Sequence, residues 1–145
     1  MTTRREARRT ALDILYQADV TGTEPTEVLE GWIDSGRDVD GFSRELVAGV
    51  GDHLPEIDLL LEEHTEGWTV SRMAVLDRAI LRLAVHELRH RSDVPPSVAI
   101  SEAVEAASAL SSEGAARFVN GILGRIAAEM RPDGPSDVGN ERGGP

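Results

Sequence analysis

The sequence predicts an all-α protein of six to seven helices arranged in two packed helical halves. Three observations carry that prediction. Apolar residues recur at three- and four-residue spacing along most of the chain. No segment alternates apolar and polar residues with hairpin chemistry at its end. The interruptions in the helical period fall on glycine, proline and serine. A hydrophobic share of 40% over 145 residues suits one folded domain with a single core.

A first helix is expected from about Arg4 to Val20, with Ala7, Ala11, Ile14, Leu15 and Ala18 on its core face and Thr21-Gly22-Thr23 ending it. A short helix after Pro25 carries Val28, Leu29, Trp32 and Ile33, and Ser35–Gly41 is a turn. The next helical stretch covers about Phe42 to Glu66. Pro55 removes a backbone donor within it, so a kink or split is expected near Asp52–Pro55. Gly67-Trp68-Thr69-Val70 links the halves, with Trp68 as the plug between them.

The helix expected from about Ser71 to His90 is apolar on two sides, Leu76, Ile80 and Leu83 on one and Leu81, Ala84, Val85 and Leu88 on the other. A helix of that kind belongs in the middle of a bundle. Ser92–Pro96 separates it from an alanine-rich helix over about Ser97–Leu110. An amphipathic helix follows from about Glu113 to Met130. Residues 1–131 thus form one helical domain, with halves at about 4–66 and 71–131. Residues 132–145, rich in Pro, Gly, Asp and Ser, are expected to be a disordered tail.

Composition excludes several functions. Without cysteine there is no disulfide framework and no thiolate metal site. Without lysine there is no Walker-type phosphate loop, and no G-x-S-x-G nucleophile turn occurs. The first nine residues are too charged for a signal peptide and no apolar run is long enough for a membrane span, so a cytoplasmic, soluble protein is expected. A net charge of −11 excludes a general coat for nucleic acid. The charge is uneven, however. Residues 1–9 hold four arginines against one glutamate, which points to a local, directional contact.

One stretch has the look of catalysis. His86-Glu87-Leu88-Arg89-His90 matches H-E-x-x-H, in which two histidines one helical turn apart bind zinc and the glutamate is the base. Three things oppose a zinc peptidase. Glu87 shares a face with Leu76, Ile80 and Leu83, so it points toward packing. The following Arg91-Ser92-Asp93-Val94-Pro95 does not continue the zincin pattern, leaving only Glu102, Glu105 or Glu113 as a third ligand. No strand is available to hold a substrate. The bland reading has Glu87 paired with an arginine or a backbone amide, beside two partly exposed histidines. No catalytic residue, metal or cofactor is expected.

The arginine end reads better as a grip. On a wheel of about 100° per residue, Arg5, Leu12, Arg9 and Tyr16 fall within about 60° of one another, flanked by Arg4 and Arg8. Guanidinium groups fork onto phosphates, and a tyrosine ring offers an unstacked base a platform. Single-stranded RNA is commonly read in this way. The competing expectation is a set of solvated arginines with Tyr16 packed at a seam.

The order of motifs resembles the NusB family of bacterial antitermination factors. Arg4-Arg5-x-Ala7-Arg8 with Leu15-Tyr16, and Leu46-Val47-x-Gly49-Val50, are similar to its front half. Ile80–Leu88 and Arg91–Pro95 resemble its centre, and Val98–Glu105 with Phe118–Leu123 complete the set, covering about residues 4–131. The resemblance implies a NusB-like bundle of two helical subdomains and a role in processive transcription antitermination. It implies binding of the boxA element of ribosomal RNA leaders together with NusE, a small-subunit ribosomal protein, and delivery to an RNA polymerase antitermination complex. It places RNA contacts at Arg4, Arg5, Arg8, Arg9 and Tyr16, and a further RNA-proximal segment at Arg117 and Phe118. Some relatives form homodimers, and some RNA cytosine methyltransferases carry a similar amino-terminal domain, so an accessory dimerisation or RNA-binding role is the alternative. The sequence departs from the family pattern at His86, Ser101, Ser108 and Gly114-Ala115, which bears on RNA affinity more than on fold.

Overall fold

The structure, a computed structural model, describes residues 2–130 and holds no strand among them. The helices are α1 (Arg4–Thr21), α2 (Pro25–Asp34), α3 (Gly41–Asp52), α4 (Leu54–Glu63), α5 (Val75–His90), α6 (Pro96–Leu110) and α7 (Glu113–Met130). The expected tail at 132–145 lies outside the described residues. Among those described, no helix is long and apolar enough to cross a membrane.

Helix α1 begins with a device that the sequence spells out. The Glu6 amide donates to Thr3 Oγ1 at 3.1 Å and the Thr3 amide donates to Glu6 Oε1 at 2.9 Å, a reciprocal capping box. Glu6 also sets a negative charge in the first turn, offsetting part of the unfavourable placement of arginines there. Gly22, at φ +68°, ends the helix in the left-handed conformation that a side chain disfavours. The expected core face is buried, and Leu12 is buried with it at 3% exposure, so the buried arc is wider than the alanine face alone.

The split near Pro55 occurs, at His53, which closes α3 and opens α4. The expected helix over Ser71–His90 is shorter. Val70–Arg72 form a single 3-10 turn, Met73 and Ala74 are extended, and α5 starts at Val75. Arg78 accounts for this. Its Nη1 donates to the carbonyls of Val70, Ser71 and Met73 at 3.2–3.3 Å, so the chain wraps around the guanidinium instead of continuing as helix. Trp68 is not a plug. Past Gly67, at φ +74°, its ring is half exposed with the Arg72 guanidinium 5.8 Å from its centroid, and Val70 and Met73 take the buried places.

Helix α5 sits at the centre, packed on α1, α3, α4, α6 and α7, with Leu81, Val85 and Leu88 fully buried. Both of its sides are covered, as its two apolar faces require. Helix α6 approaches its neighbours through Ala99, Ala103 and Ala107, all buried. One continuous apolar core runs through all seven helices. Helix α1 is tied to α3 by Ser43 Oγ, which donates to the Ala7 carbonyl at 2.7 Å. It is tied to α5 by ion pairs near both ends, Arg8 with Glu87 and Asp19 with Arg78 and Arg82. Partner numbers fall along α5 as they rise along α1, so the two helices are antiparallel.

A close contact joins α3 to α5. The His86 ring lies against Gly49, where a Cβ would come within 2.1 Å of Cε1. Burial pushes the His86 imidazole down to about 4, helped by the neighbouring His90 and His53, so it is neutral at pH 7. Gly49→Ala is therefore expected to lower unfolding stability by about 1–3 kcal/mol. In a His86→Ala background, urea unfolding should show most of that loss removed. An equal loss in both backgrounds would refute the contact as its cause.

Candidate RNA-binding interface

The exposed face of α1 carries Arg5, Arg9 and Tyr16, with Arg4 at its start. Arg5 reaches across to α6, where Nη2 lies 2.9 Å from Glu102 Oε2 and 2.6 Å from Glu105 Oε1. Hydrogen bonding to Glu102, then the charges of both carboxylates, hold its guanidinium above the ordinary value. In return Arg5 holds Glu102 below the usual carboxylate range. Arg9 pairs with Asp13 at 3.3 Å, one turn along its own helix. The Arg4 Nη2 is 3.0 Å from Asp93 Oδ2. Tyr16 is 44% exposed, so its ring is not packed at a seam.

Arg8 behaves differently from its neighbours. It is 9% exposed, and its Nε and Nη2 donate to the buried Glu87 carboxylate at 2.8–3.1 Å. That bidentate pair is a bolt between α1 and α5, and it turns the Arg8 guanidinium inward, away from the exposed strip with which the sequence groups it. The same geometry removes Glu87 as a catalytic base. The H-E-x-x-H histidines also part company. His86 is 4% exposed, not partly exposed as expected, while His90 faces α4 at the surface.

Arg117 and Phe118 stand in the opening turns of α7, which packs on α5 and α6. Arg117 is exposed, whereas Phe118 is half-buried against the core. Sequence reasoning missed a second aromatic–arginine group beside Arg4. The Phe42 ring has the guanidinium carbons of Arg4, Arg91 and Arg8 at 4.3, 5.0 and 5.5 Å from its centroid. Arg91 in turn binds Glu45 and Asp93, and Arg91 followed by Arg4 holds Asp93 below the carboxylate range. No local pattern signals this group, because its members come from α1, α3 and the α5–α6 turn. Behind the arginine strip, α1, α5 and α6 border a groove of about 480 Å³ with Leu12, Leu83 and Ala106 in its wall.

The arrangement places cations and an aromatic ring on one exposed helix face, and among the described residues Glu87 of the H-E-x-x-H stretch is taken up by Arg8. This defines an all-helical protein with an arginine-lined edge. Residues 5–128 match the NusB family. The chain is 50% identical over 130 residues to the transcription antitermination protein NusB of Saccharopolyspora erythraea, covering 88% of each. T. maritima NusB superposes with a TM-score of 0.80 at 36% identity, over 89% of this chain and 93% of that one. A crystal structure of the antitermination factors NusB and NusE in complex with dsRNA superposes its NusB-like chain with a TM-score of 0.76 at 29% identity, over 87% and 96%. The chain belongs to the NusB family of transcription antitermination proteins, which are not enzymes.

The roles assigned to Arg8 and Arg5 differ measurably. Arg8→Ala leaves a buried carboxylate without its partner and is expected to cost about 3–5 kcal/mol of unfolding stability. Arg5→Ala removes only an exposed pair and should change stability by less than about 1 kcal/mol. Urea unfolding of the two variants checks both figures. Equal losses would mean that Arg8 is not the bolt.

Proposed function

We propose that the exposed face of α1 binds boxA-type single-stranded RNA of ribosomal RNA leaders. It does so together with NusE, and the assembly joins an RNA polymerase antitermination complex in the cytoplasm. The observation that carries this reading is the placement of Arg5, Arg9 and Tyr16. All three are exposed on one helix, and the arginines are held only by surface carboxylates that a phosphate can displace. Support for RNA and NusE as partners also comes from the similar protein solved with NusE in complex with dsRNA. Arg4 extends the cationic edge, Arg8 sets the rotation of α1, and Arg117 with Phe118 forms a second RNA-proximal segment on α7. The acidic remainder of the chain confines RNA to that edge.

A shift assay on leader RNA, with and without NusE, tests the reading directly. Arg5→Ala with Arg9→Ala should weaken binding and flatten its salt dependence by up to roughly 0.7 in log–log slope per lost phosphate contact. A slope equal to that of the unchanged protein would rule out the arginine strip. Tyr16→Ala should cost about 1–3 kcal/mol of binding with the slope unaltered, as a stacking platform requires. A large change in slope would show that the ring does not stack.

A further inference from the structure

At the joint between α3 and α4 a cluster of donors stands outside the RNA edge and outside the H-E-x-x-H pairing. His53, Glu56 and His90 bring one donor atom each to within 4.8 Å of one another. His53 is oriented from behind. Its Nδ1 lies 2.9 Å from the Gly49 carbonyl oxygen. A carbonyl only accepts, so Nδ1 carries the proton and the Nε2 lone pair is free. A metal-binding histidine is commonly fixed by such a bond from its other ring nitrogen. Glu56 follows one turn later on α4, with Arg89 bound to Oε2 while Oε1 faces His90 Nε2 at 3.4 Å. The His90 ring stacks on His53 with centroids 3.7 Å apart, so both imidazoles crowd the same carboxylate.

We propose that His53, Glu56 and His90 form a binding site for one zinc-class divalent ion. Two imidazoles and a carboxylate are a donor set for borderline transition metals, whereas magnesium and calcium favour oxygen alone. Tetrahedral zinc with bonds of about 2.0–2.2 Å sets its donors about 3.3–3.6 Å apart. The His90–Glu56 pair already meets that separation. The other donor pairs close when the exposed His90 ring turns off the face of His53, which leaves the His53–Gly49 hydrogen bond in place. Arg89 on the second carboxylate oxygen acts as an outer partner that holds Glu56 in place. The ion would clip the start of α4 to the last residue of α5, just before Arg91 and Asp93, where Asp93 pairs with both Arg91 and Arg4. The site shares His90 with the zincin-like motif but takes its other ligands from α4 and the joint before it, so it carries no peptidase arrangement.

The test uses the full chain stripped of metal with a chelator and titrated with Zn²⁺ alone. Calorimetry should give one ion per chain, and the melting temperature should rise with free zinc. Co²⁺ in place of zinc should give the visible absorption of a four-coordinate nitrogen–oxygen site. The double variant His53→Gln with His90→Gln, checked for helix content by circular dichroism, should bind at least tenfold more weakly and lose the cobalt band. Glu56→Gln serves as a second, less disruptive probe with the same expected direction. His64→Gln, which alters a histidine–glutamate pair elsewhere on the surface, should keep full binding. No saturable zinc binding overturns the site. Binding that survives the double variant and Glu56→Gln overturns it equally, and leaves Glu56–His90 an ion pair only.

Discussion

The rotation of α1 about its own axis decides everything that its surface can do, and the buried Arg8–Glu87 pair sets that rotation. Helix α1 alone would accept several rotations, since its buried arc includes alanines that pack with little shape specificity. Burying a guanidinium and a carboxylate costs several kcal/mol of desolvation unless the geometry is good. Here three contacts of 2.8–3.1 Å form at the observed rotation and offset that cost. The Ser43–Ala7 hydrogen bond and the Asp19–Arg78–Arg82 group fix the same rotation at other points along the helix. With Arg8 turned inward, Arg5 and Arg9 are left outside, and Tyr16 follows them two turns further on.

Much of this was legible in the sequence, and the parts that were not share a physical reason. The helical period reported six of the seven helices, and Pro55 reported the split that makes the other. The burial of both sides of α5 was legible from its two apolar faces. Where a long-range partner decides the outcome, the chain offers no local sign. Arg8 and Arg5 are the same residue three positions apart, and only Glu87, 79 residues away, separates their roles. The late start of α5 depends on Arg78 drawing three carbonyls to itself, which no propensity reports. Trp68 invited a buried reading by its size, but its neighbour Gly67 turns the chain the other way. The capping box is the exception. Thr3 and Glu6 stand at capping-box spacing, a local sign that sequence reasoning missed, and Glu6 offsets part of the unfavourable placement of arginines in the first turn.

The histidines teach a related point about motifs. H-E-x-x-H specifies a spacing along one helix, but a site needs partners from outside that helix. Helix α5 gives the three motif residues three different neighbours. Glu87 meets Arg8 from α1, His86 fills the space left by Gly49 on α3, and His90 meets Glu56 on α4. Histidine at position 86 thus has a local cost, an imidazole held neutral with its Nδ1 unpaired in the core. A one-dimensional pattern is convincing only when the fold converges its members, and here the fold disperses them.

Under the proposed function, the acidic partners of the exposed arginines keep a chain of net charge −11 from holding RNA anywhere but at one edge. In the free protein Arg5 sits between Glu102 and Glu105, and Arg4 against Asp93. A phosphate that takes Arg5 replaces one charged hydrogen bond by another, and it leaves two carboxylates close to the RNA backbone. The gain from each arginine is therefore small, smaller than the same residue would give on a basic surface. Net affinity has to come from contacts that the acids do not oppose, namely stacking on an aromatic ring and the surface of a second protein held beside the same strand. Under the proposed reading this makes the weakness of the bare arginine edge functional. A strand that offers only phosphates gains too little to stay, while one that also stacks a base on Tyr16 and engages a bound partner offsets the cost of displacing Glu102 and Glu105.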